Sequence, residues 1–305
     1  MMKQTLRRLL ALLCAALLLP LPALASQLVT SFYPIWVFTL NLTEGIPDLT
    51  VVNLADASAG CLHDYQLKYS DRAALAEADA FLINGAGMEA FLPLITEALP
   101  DLPVIDASAG VPLIAMSGML EIGEAEEGAE ENAHIWMDPS RAVLMVRNLA
   151  AGLQSLFPEH RDAIQANLEA YTARLEALRA SMQEALSDVA GRQVLIFHEA
   201  LPYFAEACGL IPAVIVNKEP EETLSASQVQ SVILAVKQLD TLPLLLRSSE
   251  EDPSVGIIIS ETGAADCVLD PFTAGPDDVL PAPDAYETAM LQNVQALKDA
   301  FAALP

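Results

Sequence analysis

PEHRDAIQANLEAYTARLEALRASMQEALSDV, residues 158–189, decides how the rest of the chain is read. Pro158 suits the first turn of a helix, and Glu159 favours the positive end of its dipole. Ile164, Leu168, Tyr171, Leu175, Leu178 and Met182 recur at alternating intervals of four and three, a single apolar stripe. No glycine or proline interrupts the run after Pro158, and Gly191 supplies a stop. The spacing predicts one helix about 45 Å long at 1.5 Å per residue, enough to cross a whole domain.

On both sides of this helix, short apolar runs alternate with helical stretches. Before it, residues 28–32, 49–54, 80–84 and 104–106 read as buried strands, with helical composition over 71–77 and 88–99. After it, 194–197, 213–216, 242–246 and 267–269 read as strands, and 227–238 and 285–303 as helices. Residues 255–260 are ambiguous, because three isoleucines favour a strand where the alternation wants a helix. The pattern predicts an α/β protein: two lobes, each a parallel βα sheet, joined by one long rigid helix. Its expected parts are a leader (1–25), an N-terminal lobe (26–157), the linking helix (158–189) and a C-terminal lobe (190–305). A chain of 305 residues is long enough for two such cores.

Residues 1–25 read as a cleavable secretory signal. Lys3, Arg7 and Arg8 make a basic start, residues 9–19 an apolar stretch, and Ala23-Leu24-Ala25 a small-x-small cleavage site. Pro20 and Pro22 cut the apolar run short of a membrane span. Cys14 invites a lipid anchor, but Leu13 before it is larger than lipoprotein processing wants, so anchoring ranks second. The mature chain is therefore expected in the periplasm or another extracytoplasmic space. With 41 acidic residues against 15 basic ones, three of them in the leader, it carries −29. Such a surface repels nucleic acid and anionic lipid and suits a cationic partner. Three cysteines remain after cleavage, Cys61, Cys208 and Cys267, enough for one disulfide of unread pairing. Six glutamates crowd residues 121–131, either as a solvated loop or as a collector of divalent cations.

Four histidines occur, at 63, 134, 160 and 198. His160 falls in the first turn of the long helix and receives no role. His63 lies in the loop after the strand ending near Leu54, and His134 follows the acidic stretch. His198 ends the strand 194–197, and Asp270 ends the strand 267–269. Ligands of open α/β sheets gather at the carboxyl ends of strands. Two donors from each half, meeting in a cleft, would make a closed four-coordinate site of three imidazoles and one carboxylate. Imidazole suits zinc, copper, iron and nickel better than calcium or magnesium.

Seven runs together resemble the cluster A-I zinc and manganese solute-binding proteins of bacterial ABC transporters. They are CLHDY (61–65) with SDRAALAEAD (70–79), NGAGME (84–89), AHIWMDP (133–139), FHEALPYF (197–204), ETGA (261–264) and VLDP (268–271). They follow one another in order over essentially the whole mature chain. The resemblance implies two four-stranded α/β lobes joined by a rigid helix, with a metal between them held by His63, His134, His198 and Asp270. It implies Zn²⁺ as the transported ligand, with Mn²⁺ the alternative, because histidine at the third ligand goes with zinc importers and glutamate with many manganese importers. An ABC permease in the cytoplasmic membrane is the implied partner, and the receptor is expected to act as a monomer. The chain departs from the family at Leu62, where proline is usual, at RSSEE (247–251), where Glu-Pro-Gln is usual, and in lacking a histidine-rich loop. Cys61, two residues from His63, reads as a small buried residue or half a disulfide.

Two other classes compete with a transport receptor. A secreted zinc hydrolase would need an open metal position and a general base. No His-Glu-x-x-His occurs, and Glu199 beside His198 is the one adjacent base. An organic-solute or adhesin-type protein could use the same two lobes without metal. The expectation is a receptor and not an enzyme.

Overall fold

The computed structural model describes residues 25–60, 62, 65–114, 120–122, 132–216, 224–249, 252–277 and 279–304. The leader, the acidic stretch 123–131 and the charged loop 217–222 lie outside the described residues, as do Cys61 and His63.

The first sheet contains β1 (Ser26–Thr30), β2 (Leu49–Asn53), β3 (Ala80–Ile83) and β4 (Val104–Asp106), all parallel, in the order β2-β1-β3-β4. Helices α1 (Tyr33–Leu42), α2 (Tyr69–Ala76) and α3 (Leu92–Ala98) cross between its strands. The second sheet, also parallel, contains β5 (Leu120–Ile122), β6 (Gln193–Ile196), β7 (Ile211–Val216), β8 (Leu244–Arg247) and β9 (Ala265–Val268). Its order is β5-β7-β6-β8-β9. Helices α6 (Leu201–Ala207), α7 (Ala226–Val236), α8 (Pro253–Thr262) and α9 (Ala285–Ala303) accompany it. Between β5 and β6 in the sequence come α4 (Pro139–Leu156) and α5 (Arg161–Ala185), with 3₁₀ turns at Pro158–His160 and Ser187–Val189 flanking α5 at either end.

One expectation needs correction, and two points are added to the others. The second sheet has five strands, not four. Its extra strand β5 precedes the long helix in sequence and pairs with β7 in the register Leu120↔Val214. The long helix is also not isolated, because α4 packs along it as an antiparallel partner. Asp138 caps α4 by accepting the Ser140 N–H at 2.8 Å, with Pro139 at the first helical position. The ambiguous isoleucine run is helical. Asp252-Pro253-Ser254 starts α8 with the same cap, and Gly263, at φ +77°, ends it in the left-handed region.

The strands of the second sheet alternate between two cores, as their period of two requires. Val194, Ile196, Leu244 and Leu246 join a large core that also contains the first sheet, α4 and α5. Leu195, Val214, Val216 and Leu245 join a smaller one beneath α7 and α8. The larger core is thus continuous through both halves. Helix α9 closes it from the C-terminal side: the Tyr286 ring meets Phe38 edge-on at 5.3 Å. Arg174 on α5 reaches Glu287 on α9 and Asn41 on α1 through separate guanidinium nitrogens, at 2.8 and 2.9 Å.

Cys208 and Cys267 are buried free thiols, so no disulfide joins them. Burial pushes the Cys267 thiol up to about 12 and the Cys208 thiol up as well, which keeps both protonated and unreactive.

Candidate metal centre

In each sheet the strand order reverses direction at one point: between β1 and β3 in the first, and between β6 and β8 in the second. Chain leaving such a point opens a crevice. His198 lies two residues beyond β6, at the second of these reversals. Asn84 lies just past β3 at the first, and its side-chain amide donates to the Ala133 carbonyl at 3.0 Å, fixing the residue before His134. Asn84 is itself held because the Glu89 carboxylate accepts the backbone N–H groups of Asn84 and Gly85, at 2.8 and 3.0 Å.

His134 is 1% exposed and precedes the 3₁₀ turn Ile135–Met137. Its ring leans on Trp136, with centroids 5.0 Å apart, and meets the His198 ring at 6.2 Å and 80°. Asn132 Oδ1 lies 2.9 Å from the His134 backbone nitrogen and 3.0 Å from Nδ1. Nε2 is 3.4 Å from a carboxylate oxygen of Glu199. His198 is half-buried, and its Nδ1 accepts the Ala200 N–H at 3.2 Å. The structure therefore brings together His134 and His198, one from each half of the sequence, with Glu199 beside them.

Asp270 stands two residues beyond β9. Its Oδ1 accepts the Phe272 N–H at 2.8 Å, the same Asp-Pro device that caps α4 and α8. No helix follows here, because Phe272 sits at φ +55°, a strained left-handed conformation for a non-glycine residue. Burial first, and the Asp270 charge second, raise the Tyr33 phenol above its ordinary value. Asp270 connects to the histidine pair through Trp136, whose indole N–H donates to the Pro271 carbonyl at 2.9 Å while its ring rests on His134. Among the described residues, no group of three or more His, Cys, Asp or Glu is gathered closely enough to hold a metal.

His63 lies outside the described residues, but its flanks do not. Ser58 donates to the Asp277 carboxylate through its backbone N–H at 3.0 Å and its hydroxyl at 2.8 Å. The Ala57 carbonyl accepts the Gly275 N–H at 2.8 Å. Gly275 is required there, since an added Cβ would lie 2.3 Å from the Tyr33 ring. The loop leading to His63 is thus fastened to the segment that follows Asp270. Sequence reasoning missed Asn132, Tyr33 and Trp136 as parts of this region. The need of a ligating histidine for an acceptor at its second ring nitrogen is the signal that points to Asn132.

With this geometry in view, comparison with known proteins is informative. Residues 28–300 match the family model for the periplasmic component A of zinc-uptake complexes. The zinc-binding lipoprotein AdcA of Streptococcus pneumoniae is 25% identical over 282 residues, covering 89% of this chain and 55% of its own. The high-affinity zinc uptake system protein ZnuA of Brucella abortus is 25% identical over 285 residues, covering 79% and 82%. The solute-binding protein FpvC of Pseudomonas aeruginosa, solved in complex with Mn²⁺, superposes with a TM-score of 0.76 at 25% identity, covering 90% and 97%. The chain spans about half the length of the streptococcal relatives it matches. The match over residues 28–300 is decisive: the chain belongs to the family of periplasmic zinc-uptake components, which are solute-binding proteins and not enzymes.

Proposed function

We propose that this protein captures Zn²⁺ outside the cytoplasmic membrane, using His63, His134, His198 and Asp270, and delivers it to an ABC permease. The observation that carries the reading is the pairing of the His134 and His198 rings, 6.2 Å apart, one from each half of the sequence. The fastening of residues 57–58 to 275–277 supports it further, because it joins the loop leading to His63 with the chain following Asp270. Three imidazoles and one carboxylate favour Zn²⁺ over Mn²⁺, which prefers oxygen donors and ranks lower in affinity at mixed sites. The lobes of this receptor are residues 26–157, apart from strand β5, which joins the second sheet, and 190–305, with 158–189 as the link. Residues 1–25 act as an export signal, with lipid anchoring the second possibility. No helix among the described residues is long and apolar enough to cross a membrane.

Competition of the purified protein against a zinc chelator tests the ligand set. Ala at His134 or His198 should each lower zinc affinity by more than about 100-fold, beyond the 10–100-fold typical of outer-shell changes. Unaltered affinity in both variants would refute the site. Binding of Mn²⁺ in preference to Zn²⁺ by the parent protein would refute the choice of metal.

A further inference from the structure

We propose that Asn132 is a positioning residue for metal capture: it sets which nitrogen of His134 faces the metal and ties His134 to the turn carrying His198. This rests on the metal-site reading above.

Asn132 is 7% exposed, and its polar groups bond in three directions. The backbone N–H of His134 can only donate, so the side-chain atom 2.9 Å from it must be the amide oxygen. That fixes the orientation of the amide without reference to anything else. The same oxygen lies 3.0 Å from His134 Nδ1 and cannot donate, so Nδ1 carries the ring proton. In the neutral ring the lone pair is then on Nε2, the nitrogen directed toward Glu199 beside His198. The amide nitrogen of Asn132 donates to the Glu199 carbonyl at 2.6 Å. The Asn132 carbonyl accepts the Tyr203 hydroxyl at 2.6 Å, and that hydroxyl in turn accepts the Ile114 N–H at 3.0 Å. One side chain therefore orients a candidate ligand from the first half and grips the turn that bears a candidate ligand from the second.

His198 is arranged the opposite way. Its Nδ1 accepts a hydrogen bond from the Ala200 N–H at 3.2 Å, so the neutral ring carries its own proton on Nε2. Offering Nε2 to a metal requires His198 to give up that long hydrogen bond, whereas His134 needs no such change. The structure assigns His134 the role of preset donor and His198 that of the donor that rearranges, with Asn132 as the source of the difference.

The test uses the full mature chain, stripped of metal, with ¹⁵N-labelled histidine. In the parent, two-bond ¹H–¹⁵N correlations should show the proton of His134 on Nδ1. Asn132→Ala should shift that ring toward the Nε2–H form and weaken Zn²⁺ binding about 10–100-fold. Asn132→Asp keeps the acceptor oxygen but not the donor to Glu199. It should restore the Nδ1–H signature and recover part of the affinity. Should the alanine variant fail to fold, Asn132→Leu keeps the volume and removes both polar atoms, with the same expected outcome. A His134→Ala control separates the two readings. If it loses zinc while Asn132→Ala binds like the parent, or if the His134 proton stays on Nδ1 without Asn132, this inference is overturned alone. If His134→Ala binds zinc like the parent, the metal site is overturned and the inference with it.

Discussion

Glu89 shows how much a single buried group contributes to positioning. Burial pushes its carboxyl up to about 7 from an ordinary 4.5, although two backbone N–H groups favour its charged form. Between those values the folded chain holds a proton that the unfolded chain has released, so stability falls as pH rises through that window. The loss is of order 3 kcal/mol and is complete above about pH 7. Thermal unfolding of metal-free protein should accordingly show the parent gaining stability over Glu89→Gln as pH drops from about 7.5 to 5. Parallel pH profiles for the two would mean that Glu89 titrates in the fold as it does in the unfolded chain, unshifted by burial. Gly85 in the same turn sits at φ +78°, and an added Cβ would lie 1.9 Å from Asp106 Oδ1. A side chain there would have to displace the Asp106 and Ser108 side chains and hold a left-handed backbone. At this scale the sequence singled out His134 and His198 as two of only four histidines, and Asp270 by its place just past a strand. It did not disclose Asn132, since an amide that makes hydrogen bonds leaves no periodic trace and Asn is as common in plain loops. Glu199 was visible only as a possible base, whereas in the fold its carbonyl and its carboxylate both face the 132–134 segment.

Among the elements, those read correctly carry their signal locally. The stripe of α5 lies where its spacing put it, with Ile164, Tyr171, Leu175, Leu178 and Met182 all buried. Leu175 is fully enclosed, and Leu175→Ala should cost about 2–5 kcal/mol of unfolding free energy by urea denaturation. A loss below about 1 kcal/mol would mean the stripe does not seal the joint between the halves. The elements not read have physical reasons for being silent. Helix α1, YPIWVFTLNL, is buried on nearly every side, so it has no polar face to reveal a period. Helix α4 follows the AHIWMDP run without a break, and its partner α5 dominates the pattern. Strand β5 is three residues long and owes its existence to pairing with β7, a contact that no local window contains. Residues 255–260 show propensity losing to context, since Asp252-Pro253-Ser254 and Gly263 bracket a helix around isoleucines that locally favour a strand.

For the whole molecule, the shared core, the α4–α5 pair and the Arg174 contacts to α1 and α9 leave little room for one half to swing against the other. Zinc capture should then move local turns, notably around His198, and not whole lobes. X-ray scattering of metal-free and zinc-loaded protein should nearly superimpose, with hydrogen exchange slowing around residues 197–201. A large fall in radius of gyration on adding zinc would exclude the rigid arrangement. The placement of β5 bears on how such a molecule is made. A chain that has emerged only as far as α5 already contains every strand of its first sheet, together with one strand whose partner has not yet been synthesised. Residues 120–122 must wait until 211–216 arrive, and α9 must wait longer still before it can cover α1 and α5. The protein therefore cannot mature half by half in the order of its synthesis. Its fifth strand and its last helix join the two halves only late, and a chain truncated after the spine would present an unpaired strand to chaperones and proteases.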